Sequence, residues 1–184
     1  LDHLGMGNFG SRSPNRGKKV HPGADDNASG SAGVLMIAEK MAAEYKRMGD
    51  KPRRSVLFMG FSAEESGLNG SRFYADNPLK DYKNVLMINF DMIGRITNGR
   101  LSVSGASTGE GMEEWLAPMF EASPLTIVQP ENMSGASDHT PFYRAKMPVL
   151  FGIIADFHDD YHTSRDVVSK INRVDAVHVI NLFH

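Results

Sequence analysis

The stretch Val85-Leu86-Met87-Ile88-Asn89-Phe90-Asp91 is apolar at almost every position and closes on a carboxylate. Continuous rather than alternating hydrophobicity over so few residues marks a strand covered on both faces. Upstream, Ser55-Val56-Leu57-Phe58-Met59-Gly60-Phe61 repeats the pattern and is followed by Glu64-Glu65. Shorter runs at 101–104, 126–129 and 148–153 read as further strands, and helical stretches at 31–48, 70–76, 110–122 and 138–145 alternate with them. The helix at 31–48 is the best marked. Val34, Leu35, Ala38, Met41, Ala42 and Tyr45 recur at helical spacing, Lys46 and Arg47 crowd the last turn, and Gly49 stands at the C-terminal cap. Strand and helix alternating throughout predict an α/β fold. The expected architecture is a three-layer α/β/α sandwich around a central mixed, mostly parallel sheet, with ligands bound beyond the carboxyl ends of the strands.

The 184 residues, 41% of them hydrophobic, suffice for one compact domain with a full core, so 1–184 reads as a single domain. Twenty basic and 22 acidic residues, net −2, are spread along the chain, which gives no footprint for nucleic acid and no membrane-binding face. No apolar run approaches the roughly 20 residues of a membrane span. With no cysteine there are no disulfides or thiolate sites, so any metal must be held by His, Asp and Glu. The stretch 5–19, rich in Gly, Ser, Asn and Lys, lacks a hydrophobic period and reads as a long exposed loop. Opening without Met at Leu1 and stopping at His184 inside an unfinished helix, the chain reads as an internal fragment truncated at both ends.

Four constellations can carry chemistry. Gly23-Ala24-Asp25-Asp26-Asn27-Ala28-Ser29-Gly30 sets two carboxylates among small residues at the entrance to the long helix; alone it would be a turn and helix cap. Ala63-Glu64-Glu65-Ser66-Gly67 places adjacent carboxylates at a strand's end, where one can ligate a metal while the other serves as general base. Asp91 ends an apolar strand. His158-Asp159-Asp160-Tyr161-His162-Thr163-Ser164-Arg165-Asp166 packs histidines among three aspartates and a tyrosine, partners able to fix an imidazole tautomer. Together they offer oxygen and nitrogen ligands without sulfur, a set suited to paired divalent ions.

A competing motif lies at Gly105-Ala106-Ser107-Thr108-Gly109, which fits the G-x-S-x-G elbow of serine hydrolases, with Asp138 and His158 or His162 downstream. It lacks an HGGG-like oxyanion loop and leaves Asp25, Glu64, Glu65 and Asp91 unexplained.

In order, GADDNASG, AEESGLNGS, NFDMIG, SDHTPF and YHTSRD resemble the motifs of the co-catalytic zinc aminopeptidase and glutamate carboxypeptidase family, and they span nearly the whole chain. The resemblance implies a metal-dependent aminopeptidase acting on peptides with a free N-terminus. It implies two zinc ions: Asp25 bridges both, Glu65 and His162 complete one shell, and Asp91 holds the other ion. Glu64 would be the general base, Tyr161 would steady the tetrahedral intermediate, and a cis peptide would join Asp25 to Asp26. The family's opening His-x-Asp motif aligns so that its histidine falls just before Leu1. Asp2 then becomes the carboxylate orienting that absent imidazole, His3 a bystander, and one zinc site of the fragment is weakened. The resemblance also suggests a secreted or cell-envelope location in a bacterium. The same family contains glutaminyl cyclases, carboxypeptidases and transferrin-receptor-like binding modules, the last of which lose metal ligands that this chain keeps.

Overall fold

The computed structural model describes residues 4–14, 17–81, 83–133 and 137–184. Asp2 and His3 therefore lie outside the described residues. After an irregular turn at Ala24–Ser29, helix α1 runs Gly30–Met48 and ends at Gly49, whose φ of 59° suits a residue without a Cβ. Helix α2 (Asn69–Asp76) precedes β1 (Met87–Phe90), β2 (Arg100–Ser104) and α3 (Met112–Ala122). Strand β3 (Thr126–Val128), α4 (His139–Arg144), β4 (Val149–Ile154) and α5 (Arg173–Leu182) complete the order. The helix left open at His184 by the sequence thus ends at Leu182.

The sheet has the order β1-β4-β2-β3. β1 lies parallel to β4 with Met87 opposite Val149, and β2 parallel to β3 with Arg100 opposite Thr126. β2 runs antiparallel to β4, Leu101 facing Ile154. The sheet is therefore mixed and mostly parallel, as expected. Helices cover both faces of β4. Leu150 and Ile154 join Ile37 of α1 with Val179 and Ile180 of α5 in the main core, whereas Phe151 stacks on His139 of α4 with ring centroids 4.1 Å apart. Two-sided burial explains why this strand's hydrophobicity does not alternate. Among the described residues, no helix is long and apolar enough to cross a membrane.

One expectation changes. The run 55–61 forms no strand, and Val56, Leu57 and Phe58 stand 44%, 53% and 39% exposed. No strand of the described residues pairs with it, so these side chains have no layer to enter; Phe61, at its end, packs on Tyr74 and Phe142. The described residues of the loop at 5–19 are largely exposed, as expected, but the loop is held at two points. Ser13 is buried, and Ser11 Oγ lies 2.6 Å from Nε2 of the buried His21, whose own backbone N–H donates to Gly5 O.

Topology also decides the G-x-S-x-G motif. Because β2 opposes β1 and β4, its carboxyl end lies at the sheet edge opposite Asp91. Residues Ala106–Thr108 form a short helical turn there, Thr108 Oγ1 hydrogen bonds with Val149 at the start of β4, and Ser107 is exposed without a hydrogen-bond partner among the described residues. A nucleophile with no histidine beside it has no base, which removes the serine-hydrolase geometry.

Gly105, ahead of that turn, has φ +95°, and a Cβ there would collide with the Val149 carbonyl oxygen. Gly105→Ala is expected to lower stability by about 1–3 kcal/mol, read as a lower urea midpoint at constant m-value.

Candidate metal centre

Three segments meet at the carboxyl edge of β1 and β4. Asp91 follows β1 directly, its N–H donating to Gly152 O of β4 (3.1 Å). The segment after β4 carries His158 and His162. The Glu64-Glu65 turn is built by backbone bonds, the N–H groups of Gly67 and Leu68 both donating to Glu64 O (2.9 Å each), and it leads into α2.

One potential ligand atom each from Asp26, Glu65 and His162 lies within 4.8 Å of the other two. His162 Nε2 is 3.1 Å from Asp26 Oδ2 and 3.1 Å from Glu65 Oε1. The opposite ring nitrogen is fixed by the loop at 5–21: Nδ1–H donates to Gly10 O (3.1 Å), and Arg12 N–H donates to His162 O (2.9 Å). With Nδ1 carrying its proton, Nε2 points a lone pair at two carboxylates. That arrangement repels unless a cation, either a proton or a metal ion, sits between them. Two carboxylates and one imidazole are a zinc-compatible donor set.

Asp91 stands beside this group. Its Oδ2 accepts from Ser137 Oγ (2.7 Å), a hydroxyl also held by Asn89 Nδ2 (2.8 Å), while Oδ1 is buried without a hydrogen-bond partner. A buried carboxylate oxygen without a partner among the described residues, next to Asp26, is a further group that could hold a cation.

Asp25 occupies a different place from the one expected. Wholly buried, its Oδ1 accepts from Gly94 N–H (2.7 Å) and Ser29 Oγ (3.0 Å), and its Oδ2 pairs with His158 Nε2 (3.1 Å). Gly94 permits this approach, since a Cβ there would lie 2.7 Å from Ser29 Cβ and 3.0 Å from Asp25 Oδ1. Asp26 has φ −103° and ψ 95°, an extended conformation in which successive side chains point to opposite sides. The inward carboxylate is consequently Asp26, and Asp25 ties the turn to neighbouring segments. The cis peptide, expected between Asp25 and Asp26, joins Asp26 to Asn27 instead.

By sequence Asp166 is one of three aspartates able to fix an imidazole tautomer, and the structure gives it a different task. Its buried carboxylate accepts from Asp25 N–H and Asp26 N–H (3.0 Å each), which fixes the turn on the histidine segment. Its place in the YHTSRD motif was the available signal. Gly10 and Arg12, in a stretch without pattern, carried none. Tyr161 stacks on His162 with ring centroids 3.8 Å apart. Burial, followed by the charges of Asp26, Glu65 and Asp91, holds its hydroxyl pKa well above the usual tyrosine range, so the group stays a donor.

The carboxylates share too little solvent for all to ionise. Burial, then the charges of Asp91 and Glu65, raises Glu64 to about 8; burial, then Asp26, raises Asp91 to about 7 against the opposing Ser137 bond. Burial pulls His162 down, but its contacts with Asp26 and Glu65 outweigh this and raise it to about 10. All three shifts make the folded chain hold protons that the unfolded chain releases. Their contribution to stability is present at acid pH and is lost from 3.8 to about 7 for Asp91, from 4.5 to about 8 for Glu64, and from 6.5 to about 10 for His162. In chelator, the urea midpoint is expected to fall from pH 5 to pH 9, with Glu64→Gln flattening the curve between 4.5 and 8. A rising midpoint over that window contradicts the assignment.

The chain is 30% identical over 183 residues to leucine aminopeptidase 2 of Trichophyton equinum, covering 83% of this chain and 35% of that protein. It thus spans about a third of the length of the curated relatives it matches. Among solved structures, a zinc aminopeptidase from Bacillus subtilis matches with a TM-score of 0.70 at 25% identity, over 88% of this chain and 40% of that one. A glutaminyl cyclase from Porphyromonas gingivalis shares the fold, with a TM-score of 0.69 at 23% identity over 94% of this chain and 66% of that one. The match to peptidase family M28 runs over residues 1–184, and the chain belongs to that family.

Proposed function

We propose that this chain carries the catalytic centre of a zinc-dependent aminopeptidase that removes N-terminal residues from peptides. The carrying observation is the convergence of Asp26, Glu65 and His162 on one point with Glu64 beside them. Support comes from the family and from relatives described as leucine aminopeptidase and zinc aminopeptidase. Asp26, Glu65 and His162 would hold one ion, and Asp91, with its unpartnered oxygen, would help to hold a second beside it. When bound, such a pair lowers the pKa of a water and polarises the scissile carbonyl.

The protein's own groups then perform the proton transfers. Glu64 accepts a proton from the attacking water as its oxygen bonds to the carbonyl carbon. It returns that proton to the amide nitrogen as the C–N bond breaks. With cations in the neighbouring seats, Glu64 would be held in its carboxylate form, ready to accept the proton. The Tyr161 hydroxyl, which makes no hydrogen bond within the described residues, donates to the developing oxyanion. The cation seat at Asp91 and the carboxylates beside it would receive the substrate's α-amino group, which restricts cleavage to chain ends.

Glu64→Gln is expected to lower kcat by about 10²–10⁴-fold on aminoacyl-anilides while zinc content, read by metal analysis, is unchanged. Asp26→Asn should reduce zinc content, whereas Asp25→Asn should lower stability and keep the metal. Chelator should abolish turnover and zinc restore it. Cleavage indifferent to chelator would refute the metal mechanism, and conversion of N-terminal glutamine without loss of a residue would favour a cyclase.

A further inference from the structure

The loop at 5–21 does more than buttress His162. Arg12 is fastened by its own N–H to His162 O (2.9 Å), and two residues before it Gly10 O accepts from His162 Nδ1–H (3.1 Å). These two bonds fix where the Arg12 side chain starts. The side chain then runs over Tyr161, its Cζ 4.7 Å from the ring centroid. Tyr161 in turn lies against His162. The guanidinium therefore stands one aromatic ring away from the His162 imidazole, and the residue is exposed.

No carboxylate among the described residues pairs with Arg12, although Asp26, Glu64, Glu65 and Asp91 crowd the centre itself. The other cations nearby are committed: Arg95, Arg165 and Lys170 all converge on Asp160 at 2.6–2.8 Å. A stacked guanidinium keeps its fork of N–H groups directed outward along the ring plane, ready for a planar bidentate anion.

Charge fixes which end of a substrate it meets. Arg12 repels the α-ammonium group of a peptide and attracts its carboxylate, so Arg12 faces the leaving side. Along an extended peptide each residue covers about 3.3–3.6 Å, so a carboxylate one or two residues beyond the scissile bond reaches a group one ring from the metal ligands.

We infer that Arg12 is a specificity-determining residue that binds the C-terminal carboxylate of short peptides, biasing the enzyme toward dipeptides and tripeptides. The inference rests on the aminopeptidase reading and deepens it. Both a free C-terminus and an acidic side chain present the same carboxylate chemistry, and the test separates them.

The full chain, zinc-loaded, is assayed by amine release from Leu-Ala, Leu-Ala-amide and Leu-Asp-amide. The expected result is a kcat/KM for Leu-Ala about 10- to 100-fold above that for Leu-Ala-amide, carried mainly by KM, as one charge-assisted bidentate contact supplies. Arg12→Gln should collapse that ratio toward one, and Arg12→Lys should retain part of it. Leu-Asp-amide cleaved like Leu-Ala-amide assigns the site to the terminal carboxylate; cleavage as fast as Leu-Ala widens it to any nearby carboxylate and overturns the preference for short peptides. A loss in Arg12→Gln that is equal for all substrates would reduce the residue to a structural role and overturn the inference. Equal rates on Leu-Ala and its amide in the unaltered protein would do the same while leaving the aminopeptidase reading intact. Absence of cleavage of all three would overturn that reading itself.

Discussion

The site depends on a buried carboxylate that binds no metal in the proposed scheme. Asp166 accepts the backbone N–H groups of Asp25 and Asp26 together, and Ala24 N–H donates to its backbone carbonyl oxygen (3.3 Å). Two consecutive amides directed at one carboxylate hold the turn in a single orientation. From that orientation follow the inward aim of Asp26 and the turning of Asp25 toward Gly94, Ser29 and His158. Without Asp166, two buried donors would lose their acceptor, and an unmade bond of this kind costs about 1–3 kcal/mol for each group. The histidine segment and the aspartate turn are in effect one unit with two chain origins.

The sheet supplies the rest of the alignment. Parallel pairing of β1 with β4 brings both carboxyl ends to one edge, so Asp91 and the segment from His158 to His162 arrive together. The antiparallel step to β2 sends the next strand's end the other way, which is why a hydrolase-like elbow and a metal-ligand cluster coexist in one chain without meeting. Sheet polarity, rather than motif strength, separates the functional cluster from the coincidental one.

Much of this was legible from residue order. The periodicity of 31–48 gave α1 almost to the residue, and apolar runs marked β1 and β4, although only β4 is a central strand covered on both faces and the edge strand β1 leaves Ile88 38% exposed. Glu64, Glu65, Asp91 and His162 were named from motifs and converge in space. What the sequence could not separate was Asp25 from Asp26. Both are aspartates, adjacent, and surrounded by small residues, and only the extended backbone at Asp26 decides which one faces inward. The stretch 55–61 was misjudged for a related reason: apolar composition states a need for burial, not the presence of a neighbour to provide it. The roles of Gly10 and Arg12 were illegible because they act through backbone atoms and ring stacking, which leave no periodic trace.

The clamp joins residues 140 positions apart in sequence. Contacts of such range bear a large loop-closure entropy and form late in folding. During synthesis the chain emerges from its N-terminal side, so Asp26 and Glu65 are present long before His162 and Asp166 exist to join them. A cation held by Asp26, Glu65 and His162 would therefore report a finished fold rather than nucleate one, the reverse of a zinc finger, where metal capture drives the collapse. Partly made chains of this design carry loose carboxylates but no assembled cluster until the segment from His158 to Asp166 has docked.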